Sequence, residues 1–529
     1  MRGRRQSIGA LALAALSVCG ILVLTPAPAG ADFFDRNFGF ITGGGSSGVD
    51  LADFKGRYVN RLGLKGKSYA DDIKEQPRER VLALTNEYGT IDDPSLLQLT
   101  KSVTDKLVAA VGKFGVTNFR PQVVILADPN PGARATPSGV ILITYGLLAR
   151  LESEDQLAFV IGHEIAHVLM RHHDKEWLVK SQRHVLAASE VGKEMADGLA
   201  AASGRGKTTG GNNDWHLIAD GALIASRDVL SPAWNRSQED QADLLGVDIM
   251  VAAGYQPREV LKVLQVLQHI EFGGAETQER KSAENAYSNL AKRAVSSNQG
   301  SPFAGLGRAL EGALDSVGKG ISEALAEARR SHRSVEERAA LIRDYARREY
   351  AQVAAAPQNK TYAAALANPR TKQTLQNYTQ TTTALQRMVK GGAGNALDPA
   401  RKGVAAPTER DSYPRLVLSQ VLFARGDRKG GLESLQAAIQ GPNPALRAYL
   451  VLSETHARGG NHKQAWATAD AAEKRFQQSE MLLVHRISLH ARAGRRNEAQ
   501  GLAVQCKLQY PALEQACADA ARRGVSSVK

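Results

Sequence analysis

Cysteine is nearly missing from this chain: Cys19, Cys506 and Cys517 are the three in 529 residues. Cys19 falls in a leader read below as removed, and the other two sit within C-terminal repeats, so thiol catalysis has no support. Aromatic side chains are also scarce, at 5%. Ala, Leu, Gln and Arg recur instead at helical spacing, which predicts a mainly α protein with little β-structure. No apolar run reaches the roughly 20 residues of a spanning helix. Patterned glycines are missing too: those of Gly204-Arg-Gly-Lys-Thr-Thr-Gly-Gly-Asn-Asn213 follow no phosphate-loop order and read as a polar surface loop. The formal charge is +13, but it is scattered and no nucleic-acid motif accompanies it, so nucleic acid is not read as a partner. What remains suits anionic surfaces or acidic proteins.

The chain opens with Arg2, Arg4 and Arg5, an apolar run from about Ile8 to Leu24, then Ala29-Gly30-Ala31. This is the pattern of a secretory signal over residues 1–31, cleaved after Ala31, with a retained anchor as the alternative reading. Val18 is bulkier than the residue that precedes a lipidated cysteine, which disfavours Cys19 as a lipid anchor. Residues 32–59, with Phe33, Phe34, Phe38 and Phe40 beside Gly43-Gly-Gly-Ser-Ser-Gly48, read as an arm. From Pro94, the set Leu96, Leu97, Leu99, Val103, Leu107, Val108 and Val111 predicts an amphipathic helix. Strands are predicted at Gln122–Ala127 and Gly139–Thr144, joined by a Pro/Gly/Asn loop. The edge of such a sheet either accepts an extended substrate through main-chain hydrogen bonds or has no ligand role.

The stretch from Leu151 to Met170 carries the chemistry. Ser153 and Gln156 form a capping-box pattern, and Glu154 and Asp155 suit the N-terminal dipole, so a helix is predicted to begin near Ser153. Leu157, Phe159, Val160, Ile161, Val168, Leu169 and Met170 surround it with apolar side chains, the mark of a helix buried on all sides. Two imidazoles and a carboxylate inside such a helix need compensation. His163 and His167 lie one turn apart on one face, where a single metal ion meets both, and Glu164 stands beside them to take a proton from water. With 12 His in 529 residues, a chance His-Glu-x-x-His is expected in roughly one chain in a hundred, so the pattern is specific. It reads as a zinc-protease helix.

A hydrolytic zinc takes three protein ligands and leaves a position open. In Ser237-Gln-Glu-Asp-Gln-Ala-Asp-Leu-Leu-Gly246, the residues Glu239, Ala242, Asp243 and Gly246 share a helical face. Glu239 is the third ligand on this reading, and Asp243 receives the free N–H of a ligand imidazole.

The last third repeats. Gly426, Gly460 and Gly494 stand 34 residues apart between helical patterns, with Ala438, Ala472 and Cys506 in step and Ala465 and Ala499 in phase. This is the period of tetratricopeptide helix pairs. Such pairs stack into a solenoid whose groove binds a partner protein, or they pack against the rest of the chain. Cys506 and Cys517 fall on neighbouring helices around Pro511, either bridged, as an exported protein allows, or buried and free. Between these regions, Phe272–Arg330 reads either as a lid or membrane-leaning amphipathic segment or as a solvated helical hairpin. Residues 351–410 read as a helical segment and linker.

Ala133-Arg-Ala-Thr-Pro-Ser-Gly139, His163-Glu-Ile-Ala-His167, Glu239-Asp-Gln-Ala-Asp243 and Ser331-His332 with Arg338 resemble, in order, the signature stations of the prenyl-protease-like zinc metallopeptidases, peptidase family M48. Two positions depart from the pattern: Gly132 replaces the usual Asn before the first station, and Arg333 replaces the Pro after His332. The resemblance implies one zinc per chain on His163, His167 and Glu239, with Glu164 as general base and Asp243 behind the ligands. It also places His332 near the metal, where it either plugs the open position or stabilises the oxyanion. The implied fold is mainly α: a zincin-type domain with a small β-sheet over residues 60–350, then a tetratricopeptide-like solenoid over 411–529. The implied function is a zinc endopeptidase of the periplasm acting on exported proteins, with outer-membrane proteins and their assembly machinery as substrate and partner, and with peripheral contact at that membrane. A chaperone or assembly scaffold with incidental proteolysis is the competing reading.

Overall fold

The computed structural model describes residues 56–83, 88–129, 131–172, 236–271, 335–353, 356–391, 394–477 and 480–522. The leader, most of the N-terminal arm, the Gly204–Asn213 loop, the 272–330 segment and His332 lie outside them.

Two helices come first, α1 (Ala70–Ala83) and α2 (Pro94–Lys113). Asp93 caps α2, its Oδ1 accepting from the amides of Ser95 (3.0 Å) and Leu96 (3.1 Å), with Pro94 at the first position where no amide is needed. Leu96, Leu99, Val103, Leu107 and Val111 are buried along one stripe, as the spacing predicts. Strands β1 (Gln122–Leu126), β2 (Ala133–Ala135) and β3 (Val140–Thr144) form one sheet in the order β1-β3-β2. β3 pairs parallel with β1 (Gln122↔Val140 to Leu126↔Thr144) and antiparallel with β2 (Ala133↔Ile143 to Ala135↔Ile141). The central strand is buried at every residue, which is why it reads as a continuous apolar run. The three-residue β2 sits within the stretch that the sequence reads as a loop.

A short turn of helix, α3 (Tyr145–Leu148), leads to α4 (Glu154–Leu169). Ser153 Oγ accepts from the Gln156 amide at 3.2 Å. The Gln156 side chain reaches back one residue beyond the cap, accepting from the Glu152 amide at 2.8 Å, and its Nε2 donates to Glu259. Every residue of α4 except His163 is buried. Against it lies α5 (Arg236–Ala252), followed by α6 (Val260–Glu271) and α7 (Val335–Tyr350). Gly162 and Gly246 face each other at the α4–α5 crossing: a methyl on Gly246 would stand 3.1 Å from both N and Cα of His163. Glycine is required there because backbone meets backbone. Asp248 ties this layer together, accepting from the hydroxyls of Tyr345 and Tyr350 at 2.6 Å each and from the Val59 amide at 2.7 Å.

Helices α8 (Lys360–Ala367), α9 (Pro369–Gly391) and α10 (Leu397–Gly403) continue the same core: Tyr362, Tyr378 and Ala400 are buried in it, and Tyr145 and Tyr378 rings meet at 5.2 Å. Three helix pairs follow: α11 (Ser412–Ala424) with α12 (Arg428–Gln440), α13 (Leu446–Arg458) with α14 (His462–Phe476), and α15 (Glu480–Arg492) with α16 (Arg496–Gln509). Both helices of each pair begin 34 residues after their counterparts. Gly426, Gly460 and Gly494 end the first helices at φ +84°, +77° and +75°, a left-handed conformation that costs other residues about 1–2 kcal/mol. Ala438, Ala472 and Cys506 are fully buried at the matching offsets. A final helix, α17 (Glu514–Arg522), is joined to α16 by a Cys506–Cys517 disulfide. The described chain is thus mainly helical with one small sheet. Among the described residues no helix is long and apolar enough to cross a membrane.

Candidate metal centre

His163 and His167 project from α4 one turn apart, and the close crossing at Gly162 and Gly246 brings Glu239 of α5 over them. The two Nε2 atoms are 3.0 Å apart. Glu239 Oε1 lies 3.4 Å from His167 Nε2, and Oε2 lies 3.8 Å from His163 Nε2. A tetrahedral ion with bonds of about 2.0–2.2 Å spaces its ligands about 3.3–3.6 Å apart, so the three separations bracket what one ion needs, within a few tenths of an ångström. They are the one group of three or more His, Cys, Asp or Glu among the described residues arranged to hold a metal. The donor set of two imidazoles and a carboxylate is the one catalytic zinc takes in several hydrolases.

The electrostatics agree with that fit. Burial works against a charged His163, but Asp243, Glu239 and Glu164 around it outweigh burial and raise its pKa above the ordinary imidazole value. Burial, helped by His163 and His172, pushes His167 down to about 4. Of the two imidazoles His163 is therefore the one that takes a proton first as pH falls, while burial keeps His167 neutral. A proton taken there puts a single positive charge where a cation would be shared. Glu239 is held well below the usual carboxylate range despite its burial, by the neighbouring His167 and by the Arg338 and His163 charges.

Residues 98–346 match the family model described as peptidase family M48. The chain carries a peptidase M48 domain. Three relatives align with it: the mitochondrial metalloendopeptidase OMA1 of Schizosaccharomyces pombe, 26% identical over 188 residues, covering 35% of this chain and 49% of that protein; its Arabidopsis thaliana namesake, 23% over 235 residues, 42% and 38%; and a Vibrio cholerae protein named for a beta-barrel assembly-enhancing protease, 26% over 174 residues, 32% and 33%. The chain spans about half or less of the length of each.

Within the M48 domain Glu164 is buried beside the ligand pair. Burial and the nearby Glu239 raise its pKa to about 7, against the lowering pull of His163, a hydrogen bond from the Ala135 amide, and Arg134. Both Ala135 and Arg134 belong to β2, so the sheet edge and the carboxylate share one wall. Asp243 Oδ1 sits 3.0 Å from His163 Nδ1. Arg338 of α7 forks onto Asp243 with two bonds of 2.8 Å, and its Nη2 is 3.7 Å from Glu239. Five of the six residues singled out by sequence, His163, Glu164, His167, Glu239 and Asp243, thus gather at one place, and the sixth, His332, lies outside the described residues.

Two participants escape the sequence. Arg338 belongs to the last station, but nothing in its spacing announces a fork onto Asp243, 95 residues earlier. His172 follows the helix by three residues and contacts His167 Nδ1 at 3.0 Å through its own Nδ1. A glycine after Met170 would have marked a chain reversal there; Arg171 stands in its place.

Proposed function

We propose that this chain is a zinc-dependent endopeptidase of the cell envelope, hydrolysing exported, misassembled outer-membrane proteins. The observation that carries the reading is the meeting of His163, His167 and Glu239 around one point, with Glu164 buried beside them. Zinc, when held by those three residues, supplies Lewis acidity toward the scissile carbonyl. Glu164, with a pKa near 7, is ionised in about half of the molecules at neutral pH, and in that form takes a proton from the attacking water and hands it to the leaving amine. Asp243, held by Arg338, orients His163, and the Arg338 charge helps keep Glu239 anionic. β2 lies at the sheet edge, where an extended substrate can pair through main-chain bonds that tolerate many sequences.

The regular 34-residue helix pairs support a tetratricopeptide solenoid that recruits substrate or the outer-membrane assembly machinery. The same pairs favour the second reading, a periplasmic chaperone or scaffold whose proteolysis is secondary. Replacing Glu164 with Gln separates the two. The Glu164→Gln protein should retain zinc and partner binding and lose cleavage of an unfolded protein by at least about 10²-fold. Undiminished cleavage would end the peptidase assignment of Glu164. An envelope assembly defect fully corrected by Glu164→Gln would favour the scaffold.

A further inference from the structure

Helix α4 does not end where its cap residue would be expected to be glycine. Met170 is followed by Arg171 at φ +54°, a left-handed conformation in a residue with a long side chain. The amides of Arg171 and His172 return to the carbonyls of Val168 and His167, both at 3.0 Å, closing a Schellman motif. Arg171 is secured by a fork onto Asp72, two bonds of 3.0 Å, and lies over the Tyr69 ring at 5.1 Å. The effect of the reversal is to fold His172 back against His167: their ring centroids are 5.0 Å apart at 73° and their Nδ1 atoms are 3.0 Å apart.

Two ring nitrogens at that distance hold one proton between them, and the surroundings decide whose it is. His172 Nε2 faces Gln241 Oε1 at 3.3 Å, and the Gln241 amide nitrogen is committed to Ser237 Oγ at 3.1 Å. Gln241 therefore offers His172 an acceptor, so His172 carries its proton on Nε2 and presents a lone pair at Nδ1. His167 must donate from Nδ1, which leaves its Nε2 lone pair directed at His163 and Glu239. The chain Ser237, Gln241, His172, His167 runs with one polarity throughout. Its far end stands on α5, with Ser237 and Gln241 on either side of Glu239. His163 has a carboxylate, Asp243, behind it; His167 has this relay of neutral groups.

We infer that His172 is a positioning residue: with Gln241 it sets the tautomer and ring orientation of His167 and so presents Nε2 to the metal. The inference rests on the metal-centre reading above. A residue that merely stopped the helix would need only its backbone, and its ring would be dispensable.

The test is the dissociation constant for Zn²⁺, measured by chelator competition at fixed pH on the metal-free full-length chain. Wild type, His163→Ala, His172→Phe, His172→Asn and Gln241→Glu are compared, together with the double variant of His172→Phe and Gln241→Glu. His172→Phe fills the space without an acceptor and should weaken zinc binding by about 10–100-fold. His172→Asn, whose side-chain oxygen can stand where Nδ1 does, should recover most of that loss. Gln241→Glu strengthens the acceptor and should tighten binding, an effect that a packing role does not produce, and His172→Phe should abolish that gain. Zinc binding by His172→Phe equal to wild type overturns the inference, as does a Gln241→Glu gain that persists without His172. If wild type binds no zinc, or His163→Ala binds it equally well, the metal centre itself is refuted, an outcome distinct from the other two.

Discussion

At the scale of single residues, the site is arranged so that metal and proton compete for one position. His163 has a raised pKa and His167 is depressed to about 4, so His163 is the imidazole whose proton zinc must displace. Zinc binding should therefore release protons, more of them as pH falls through the raised pKa of His163, measurable by calorimetry in buffers of different ionisation enthalpy. The sign follows: affinity should fall about tenfold per unit as pH drops below the raised pKa of His163, and level off above it. Proton release that did not grow as pH fell would contradict this assignment. The ligand pair and Glu164 are legible in the sequence because a helix places residues four apart on one face. Glu239 is legible because the ion needs a third donor. His172 is not, because its return depends on Arg171 adopting a conformation that the residue type disfavours, secured by Asp72 and Tyr69 about a hundred residues earlier.

Among the elements, the α4–α5 crossing sets the site. The methyl of Gly246→Ala meets the backbone of His163 at 3.1 Å, and backbone cannot rotate away. The substitution should cost about 1–3 kcal/mol of stability and weaken zinc binding with it; a denaturant titration and a chelator competition on one preparation check both. Unchanged values would mean that the helices separate freely. Helix starts and both long strands are visible in capping residues and apolar runs. β2 is not, since three residues between Pro and Gly signals carry no period. The repeats show a similar limit: Gly431 stands where the later pairs have Ala465 and Ala499, because the Phe423 ring occupies the space, a methyl there lying 2.7 Å from it. Ala457 and Ala491 are the small counterparts of Phe423, and the exchange of size is apparent only in three dimensions.

Across the whole molecule, one core runs from Tyr58 to Leu422, and the helix pairs lean on it: Tyr88 and Tyr413 rings meet at 4.7 Å, and Asn443 donates to Asp92. Such contacts join segments hundreds of residues apart, and no local pattern announces them. The Cys506–Cys517 bridge fastens the far end of the last pair to α17. Closing that short loop should contribute roughly 2–3 kcal/mol, read as a shift of the unfolding midpoint of residues near the C-terminus on reduction. Alkylation of both cysteines in unreduced native protein would contradict the bridge. The central claim, a metal held by α4 and α5 together, is tested most directly by the zinc content of purified protein. Wild type and Glu164→Gln should each carry one zinc per chain, whereas Glu239→Ala, lacking the ligand from α5, should lose most of it during dialysis against a weak chelator. A Glu239→Ala protein that kept its full zinc through that dialysis would contradict the account.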